Sequence, residues 1–332
     1  MKRGTLLALA AFVVALFLPV IFRGNDYLLN LFVVAGVYSI VVMGLGILLG
    51  WAGQMSLAQA AFLGIGAYTS AFFTTHLGFN FWEALPLSVA MSALVGLGVG
   101  YPCLRLSGHY LALATIGFGI ITQLVLINWK AVTNGSDGIT GIPAPPPIGS
   151  LSFESYGTYF YIVLFFVVIA AYVAARIKST RVGRAMLAIR ENELAASAMG
   201  INTTRYKILA FVFAGSYAGL AGSLLAHSIK FISPDSYSFD QSVVFLVMLI
   251  LGGSSSIGGA ILGAALLTFL PEVLRPLKNS YIMVYGAAVV AMIIFMPQGL
   301  VGLIEALTKR SQRPGGPRPE PIVAPSRAAE GV

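Results

Sequence analysis

The sequence predicts an all-α, polytopic integral membrane protein with about ten transmembrane helices. Three observations carry that reading. The chain is 58% hydrophobic and only 10% charged, whereas a soluble domain is usually about a quarter charged. Its apolar residues fall into runs of about 20, the helix length that crosses a ~30 Å hydrocarbon layer. Its basic residues collect in the segments between those runs. The formal net charge of +8 is therefore better explained by orientation in a bilayer than by binding to nucleic acid.

In order, the runs lie near 5–22, 28–50, 56–76, 84–104, 109–128, 158–177, 206–228, 241–254, 257–275 and 281–304. The first follows Met1-Lys2-Arg3 and superficially resembles a signal peptide. No small-residue cleavage site precedes Pro19 and many runs follow, so it is read as a retained span. With the N-terminus inside, the inner segments hold fifteen of the 20 Lys and Arg residues and the outer ones hold five. That asymmetry puts both termini and the 178–205 loop in the cytoplasm. The transmembrane domain then covers 1–308. The Pro-, Arg- and Gly-rich tail 309–332 reads as disordered.

The 178–205 loop is the longest charged passage between strongly apolar runs. Its grammar is helical. A first helix starts near Thr180, and Asn192 is a good N-cap for a second, about Glu193–Met199, with Glu193 in the first turn and Gly200 as its stop. Such a short helix needs something to pack on, and Ala195, Ala196 and Ala198 let a partner backbone come close. It reads either as a plug for a socket on another protein or as an ordinary solvated loop.

Two further passages interrupt the apolar pattern. At Gly50–Gln59, the polar Gln54, Ser56 and Gln59 fall at or near membrane depth, where they need partners or a wet cavity. Gly252–Ala260 is similar. At an offset of 200, Gly53, Ser56, Leu57 and Ala60 align with Gly253, Ser256, Ile257 and Ala260, a trace of an internal repeat. Gly53, Gln54, Ser56, Gln59, Gly253 and Ser256 are the candidate lining of a solute route through broken helices. The alternative is close packing of helices through small residues. Arg105–Tyr110 reads as a tight inner turn. The outer segment 129–157, with Asn134–Gly138 and the Pro143–Pro147 run, reads as a dock, a lid or a simple connector.

Several chemistries are excluded. There is no phosphate-cradling G-x-x-x-x-G-K-[ST] and no H-E-x-x-H, and no nucleophile elbow stands in a strand-rich setting. His76, His109 and His227 are dispersed, without the neighbours that a metal site needs. Cys103 is the single cysteine, so an internal disulfide is impossible. No cofactor is expected. Asp26, Glu83, Asp235, Asp240 and Glu272 fall near the outer ends of spans, not at the midplane where ion-driven carriers commonly bury carboxylates. A solute route without its own energy source must be driven from outside the chain, and Arg181–Ile201 is where that drive would enter. The alternative is a self-powered carrier or channel.

With these residues in view, the chain resembles the membrane-spanning permease of bacterial branched-chain amino acid ABC transporters, of the larger permease type, from about Tyr27 to Leu307. Five ordered passages carry the resemblance: Gly53–Tyr68, Arg105–Thr115, Asn134–Pro143, Glu191–Ile201 and Leu249–Pro271. Gln59, where the family favours glycine, and His109 depart from its pattern. The resemblance implies an ABC importer permease fold and no catalytic residues. It implies a coupling surface for the ATPase at Arg190, Glu191, Asn192, Glu193, Ala195, Ala196 and Gly200. It also implies four partners besides membrane lipid: a second, related permease, two ATPase subunits and a periplasmic substrate-binding protein. The location implied is the cell inner membrane.

Overall fold

The computed structural model describes residues 14–302, apart from 23, 104, 105, 107, 148, 150, 151, 276–280 and 296–298. The tail 309–332 lies outside the described residues. A helical stretch at 14–21 is followed by α1, Asp26–Leu45, which runs on as a π-helical turn, Gly46–Trp51. Then come α2 (Gln59–His76), α3 (Phe81–Cys103), α4 (His109–Asn128) and the single turn α5 (Lys130–Thr133). A long helix α6 (Tyr156–Ser179) leads into α7 (Arg181–Glu191) and α8 (Glu193–Ala198). The chain returns through α9 (Thr203–Ile229) to α10 (Phe239–Gly252), α11 (Ile257–Leu274) and α12 (Tyr281–Phe295).

Every apolar run read from the sequence coincides with helix in the described residues. Among the described residues, six helices are long and apolar enough to cross a membrane: α1 with its π turn, α3, α4, α6, α9 and α11. The count of about ten spans is thus not reached on length and composition. α10 and α12 are 14 and 15 residues long. α2 has the length, 18 residues, but carries Gln59, Thr69, Ser70, Thr74, Thr75 and His76, which lower its hydropathy.

Burial explains how so polar a helix is accommodated. In α1 and α9, 72% and 67% of the apolar window is buried, against 28% in α3, α4 and α11. α1 and α9 form the centre together with α2, whose residues from Gln59 to Gly64 are all buried. Backbones approach closely here. A Cβ added at Gly222 of α9 would lie 2.6 Å from the Ala67 amide nitrogen of α2, and one at Gly66 would lie 2.5 Å from Gly219 Cα. In the absence of a hydrophobic drive between helices in lipid, such approach is what allows dispersion and polar contacts to hold them. α3 and α4 turn large apolar side chains outward, among them Leu94, Leu113 and Ile121.

At the end opposite α7 and α8, the 139–143 part of the outer segment is tied to the bundle. A two-residue strand, β1 (Ile139–Thr140), pairs antiparallel with β2 (Phe231–Ile232) just after α9. His227, solitary in sequence, ties the segment down. Its Nδ1 lies 2.7 Å from the Pro143 carbonyl, which can only accept, so Nδ1 carries the proton. In the neutral ring Nε2 then accepts from Ser70 Oγ at 2.9 Å, and Ser70 accepts from Ser223 Oγ at 2.8 Å. The next residue to test is Gly222. Gly222→Val would drive Cγ atoms into the α2 backbone and cost at least ~1–3 kcal/mol. Gly98→Val, where a Cβ meets nothing within 4 Å, serves as control. The expected result is a fall in detergent thermal stability for the first variant only.

Candidate coupling and translocation site

α7 and α8 fold as their residues dictate. Asn192, extended at φ −159°, stops α7 and caps α8, its Oδ1 accepting from the Ala195 amide at 3.0 Å. Gly200, at φ +81°, ends the short helix; its amide donates to Ser197 O at 2.9 Å, and the Ile201 amide donates to Ala196 O at 3.1 Å. That is the glycine stop the sequence reading expects, one residue earlier than its Met199 boundary. Ala196 is buried against the bundle. Ala195, Leu194 and Met199 face outward, the last two at 83% exposure each.

Glu193 holds this unit to the spans. Its carboxylate pairs with Lys207 of α9 at 2.5 Å, with the Lys207 side chain 8% exposed and that of Glu193 44% exposed. The sequence reading counted Lys207 only as an inner positive charge, and the structure makes it the partner of Glu193. Its position next to Arg205 at the start of a span gave no signal of a partner fourteen residues upstream.

The two helix breaks meet at the same end. After the π turn the chain crosses 52–58 without regular structure, with Gly53 at φ +66°; after α10 it crosses 253–256, with Gly253 at φ +112°. Both conformations suit glycine because a Cβ resists positive φ. The freed backbone groups are met by side chains. Leu57 N donates to Thr115 Oγ1 at 3.0 Å, Ala60 N to Ser242 Oγ at 3.0 Å, and Gly259 N to Ser256 Oγ at 3.2 Å. The breaks also touch: a Cβ on Gly50 would overlap the Ser254 carbonyl.

The candidate path residues separate into kinds. Gln54 and Gly53 line a cavity of about 240 Å³ together with Arg190, Glu191, Asn192, Glu193 and Lys207. Residues expected for coupling and residues expected for the path thus line one cavity. Gly253 and Ser256 line a second cavity, of about 650 Å³, with Lys178 and Arg190. Ser56 is buried and accepts locally from the Ala58 amide. Gln59 is fully buried and crosslinks helices: its Nε2 donates to Val41 O of α1 at 3.2 Å and to Ala214 O of α9 at 3.3 Å. A glycine at this position would lack that amide. Among the described residues no group of His, Cys, Asp and Glu forms a metal cluster.

A bundle of long apolar helices, broken at paired glycine loops against a capped helix with an exposed apolar face, defines a multi-pass membrane permease. The family model described as branched-chain amino acid transport system, permease component, matches residues 27–297. The high-affinity branched-chain amino acid transport system permease protein LivM of Salmonella typhimurium is 36% identical over 80% of this chain and 68% of its own length. LivH of Escherichia coli K12, a permease protein of the same description, is 27% identical over 80% of this chain and 91% of its own. The autoinducer 2 import system permease protein LsrC of Yersinia enterocolitica is 31% identical over 62% and 58%. No solved structure matches. The chain belongs to the branched-chain amino acid transport system permease family.

Lys207 gives the test of this site. Breaking a pair by removing one partner leaves a buried charge uncompensated, but Glu193 is half solvated, so the loss is about 1 kcal/mol. Glu193→Gln and Lys207→Met should each lower thermal stability, and the double variant should lose less than the sum of the two. A double-mutant cycle in detergent measures that coupling.

Proposed function

We propose that this chain is the permease subunit of an ATP-binding cassette importer for branched-chain or other hydrophobic amino acids. It forms the translocation pathway with a second, related permease, in the cell inner membrane with both termini in the cytoplasm. The observation that carries the reading is α8. It is a capped helix whose Leu194 and Met199 stand out from the surface while Glu193 roots it to a span. An exposed apolar pair on an ordered helix suits insertion into a socket on an ATPase subunit. Family membership supports a transport permease, and the names of the relatives LivM and LivH support the substrate class.

In this reading Glu191, Asn192, Glu193, Ala195, Ala196 and Gly200 form the coupling surface, and Arg190 stands behind them, bonded to Gly50 and Ser255. Two ATPase subunits dock there, and a periplasmic binding protein delivers solute at the opposite end, near the β1–β2 ribbon. ATP binding closes the ATPases, pushes on α8, and biases the bundle from one access state to the other. Gly53, Gln54, Ser56, Gly253 and Ser256 lie along or beside the route. Gln59 keeps α1 and α9 in register at its edge. No covalent chemistry is assigned to this chain.

Co-expression with its ATPase and permease partners provides the test. The double variant Leu194→Glu, Met199→Glu should remove ATPase subunits from the purified complex while the permease remains inserted. Glu193→Arg and Gly200→Val should cut vanadate-sensitive leucine uptake at least tenfold, through a reversed charge at the helix start and a β-branched residue at positive φ. Full retention of ATPase and uptake in all three would sink the assignment. So would uptake by the permease alone that collapses with the ion gradient.

A further inference from the structure

Arg190 lies in the coupling stretch and is exposed, yet its guanidinium is bonded to two other segments of the bundle. Nη1 donates to the Gly50 carbonyl at the end of the α1 π turn, and to Ser255 Oγ in the second break at 2.7 Å. Lys178, at the end of α6, donates to the Ser255 carbonyl at 2.7 Å and sits 5.5 Å from the Trp51 ring centroid. Trp51 Nε1 donates to the same carbonyl at 3.4 Å. Gly53 leaves just enough room for this: a Cβ there would stand 3.3 Å from both Cα and Cγ of Arg190. Three segments far apart in sequence, 50–53, 178–190 and 254–255, are thus joined at one knot.

The knot has a defined mechanical position. α8 is bonded to α9 through Glu193 and Lys207, but α10 and α11 are reached from the α7–α8 unit through the Ser255 loop. The loop itself is only four residues long, Gly253–Ser256, between two helices packed closely enough that a Cβ on Gly259 would lie 2.5 Å from Gly252 O. It can pass displacement on to them but has little slack to absorb it. Below it lies the cavity of about 650 Å³, which gives the loop space to move. Each charge-assisted hydrogen bond contributes more than a neutral one, so a push on α7 is transmitted before the bonds yield.

We infer that Arg190 is a positioning residue, the clamp through which movement of the α7–α8 unit drives both helix breaks together. Lys178 acts beside it by fixing the Ser255 carbonyl. The inference deepens the importer reading and rests on it: α8 receives the ATPase, and Arg190 carries the displacement onward to the path. Trp51 and Ser255 are the receiving ends.

The test uses the complete complex in proteoliposomes with binding protein and leucine. The readout is the number of leucine molecules taken up per ATP hydrolysed, together with the distance between spin labels at positions 181 and 250, both exposed and both outside the proposed docking residues. A loss of folded protein lowers uptake and hydrolysis equally and leaves their ratio in place. Arg190→Ala should lower the ratio at least tenfold and broaden the 181–250 distance distribution. Arg190→Lys, which can keep one of the two bonds, should recover part of the ratio. Lys178→Ala should lower it less than Arg190→Ala. An unchanged ratio and an unchanged distance in Arg190→Ala overturn the clamp. Release of the ATPase subunits by Arg190→Ala also overturns it, because the residue would then belong to the docking surface. If instead the Leu194 and Met199 variants leave the ATPase bound, the importer docking reading fails, and that outcome is read from a different variant and a different measurement.

Discussion

A helix that stops within an apolar bundle must hand its unsatisfied backbone groups to something, because lipid offers no partner. That requirement shapes the end of the molecule where α1 and α10 both stop. Gly50 O, the Ser255 carbonyl and the amides of Leu57, Ala60 and Gly259 find side chains of Arg190, Lys178, Thr115, Ser242 and Ser256. Every one of these donors or acceptors except Ser256 comes from another segment. Breaking the helices therefore forces the surrounding elements into contact. The α7–α8 unit is held against the bundle as part of the solution to that problem.

One of the more polar of the long helices is also among the deepest. α2 carries Gln59, Ser70 and Thr74 into the centre, where α1, α3 and α9 surround it. Gln59 spans two helices with one amide group, and Ser70 joins the chain that runs from Ser223 through His227 to Pro143. Polar groups in this setting act as crosslinks with directional geometry, while the Gly66, Gly219 and Gly222 contacts let the backbones come near enough to use them. The apolar side chains face outward on α3 and α4, where a soluble protein would put its charges.

The two ends of the bundle are tied by different means. One end relies on a short β ribbon and a buried imidazole, both of which fasten the segment after α4 onto the end of α9. The other relies on Arg190, Lys178 and the Glu193–Lys207 pair. α9 runs between them and contributes to both, with Lys207 near its start and His227 near its finish. α9 thus forms one continuous, closely packed element between the two tied ends.

Much of this was legible in residues alone. The places of the helices followed from hydropathy, since lipid admits so few alternatives for the backbone, but the count of about ten spans did not: six of the described helices are long and apolar enough to cross. The limits of α8 followed from Asn192 and Gly200, because capping is local chemistry. Both breaks were visible as glycine and serine interruptions, and in the fold they touch. What the residues could not tell was which groups those breaks would meet. Arg190 read as one of seven coupling residues, Lys178 and Lys207 as inner charges, and His227 as a lone histidine. Each role depends on a partner that is distant in sequence, and such distances are set by how helices pack. Periodicity and caps are properties of a few consecutive residues; the meeting of Gly50 with Ser254, or of His227 with Pro143, is a property of the folded bundle, and only tertiary packing could decide it.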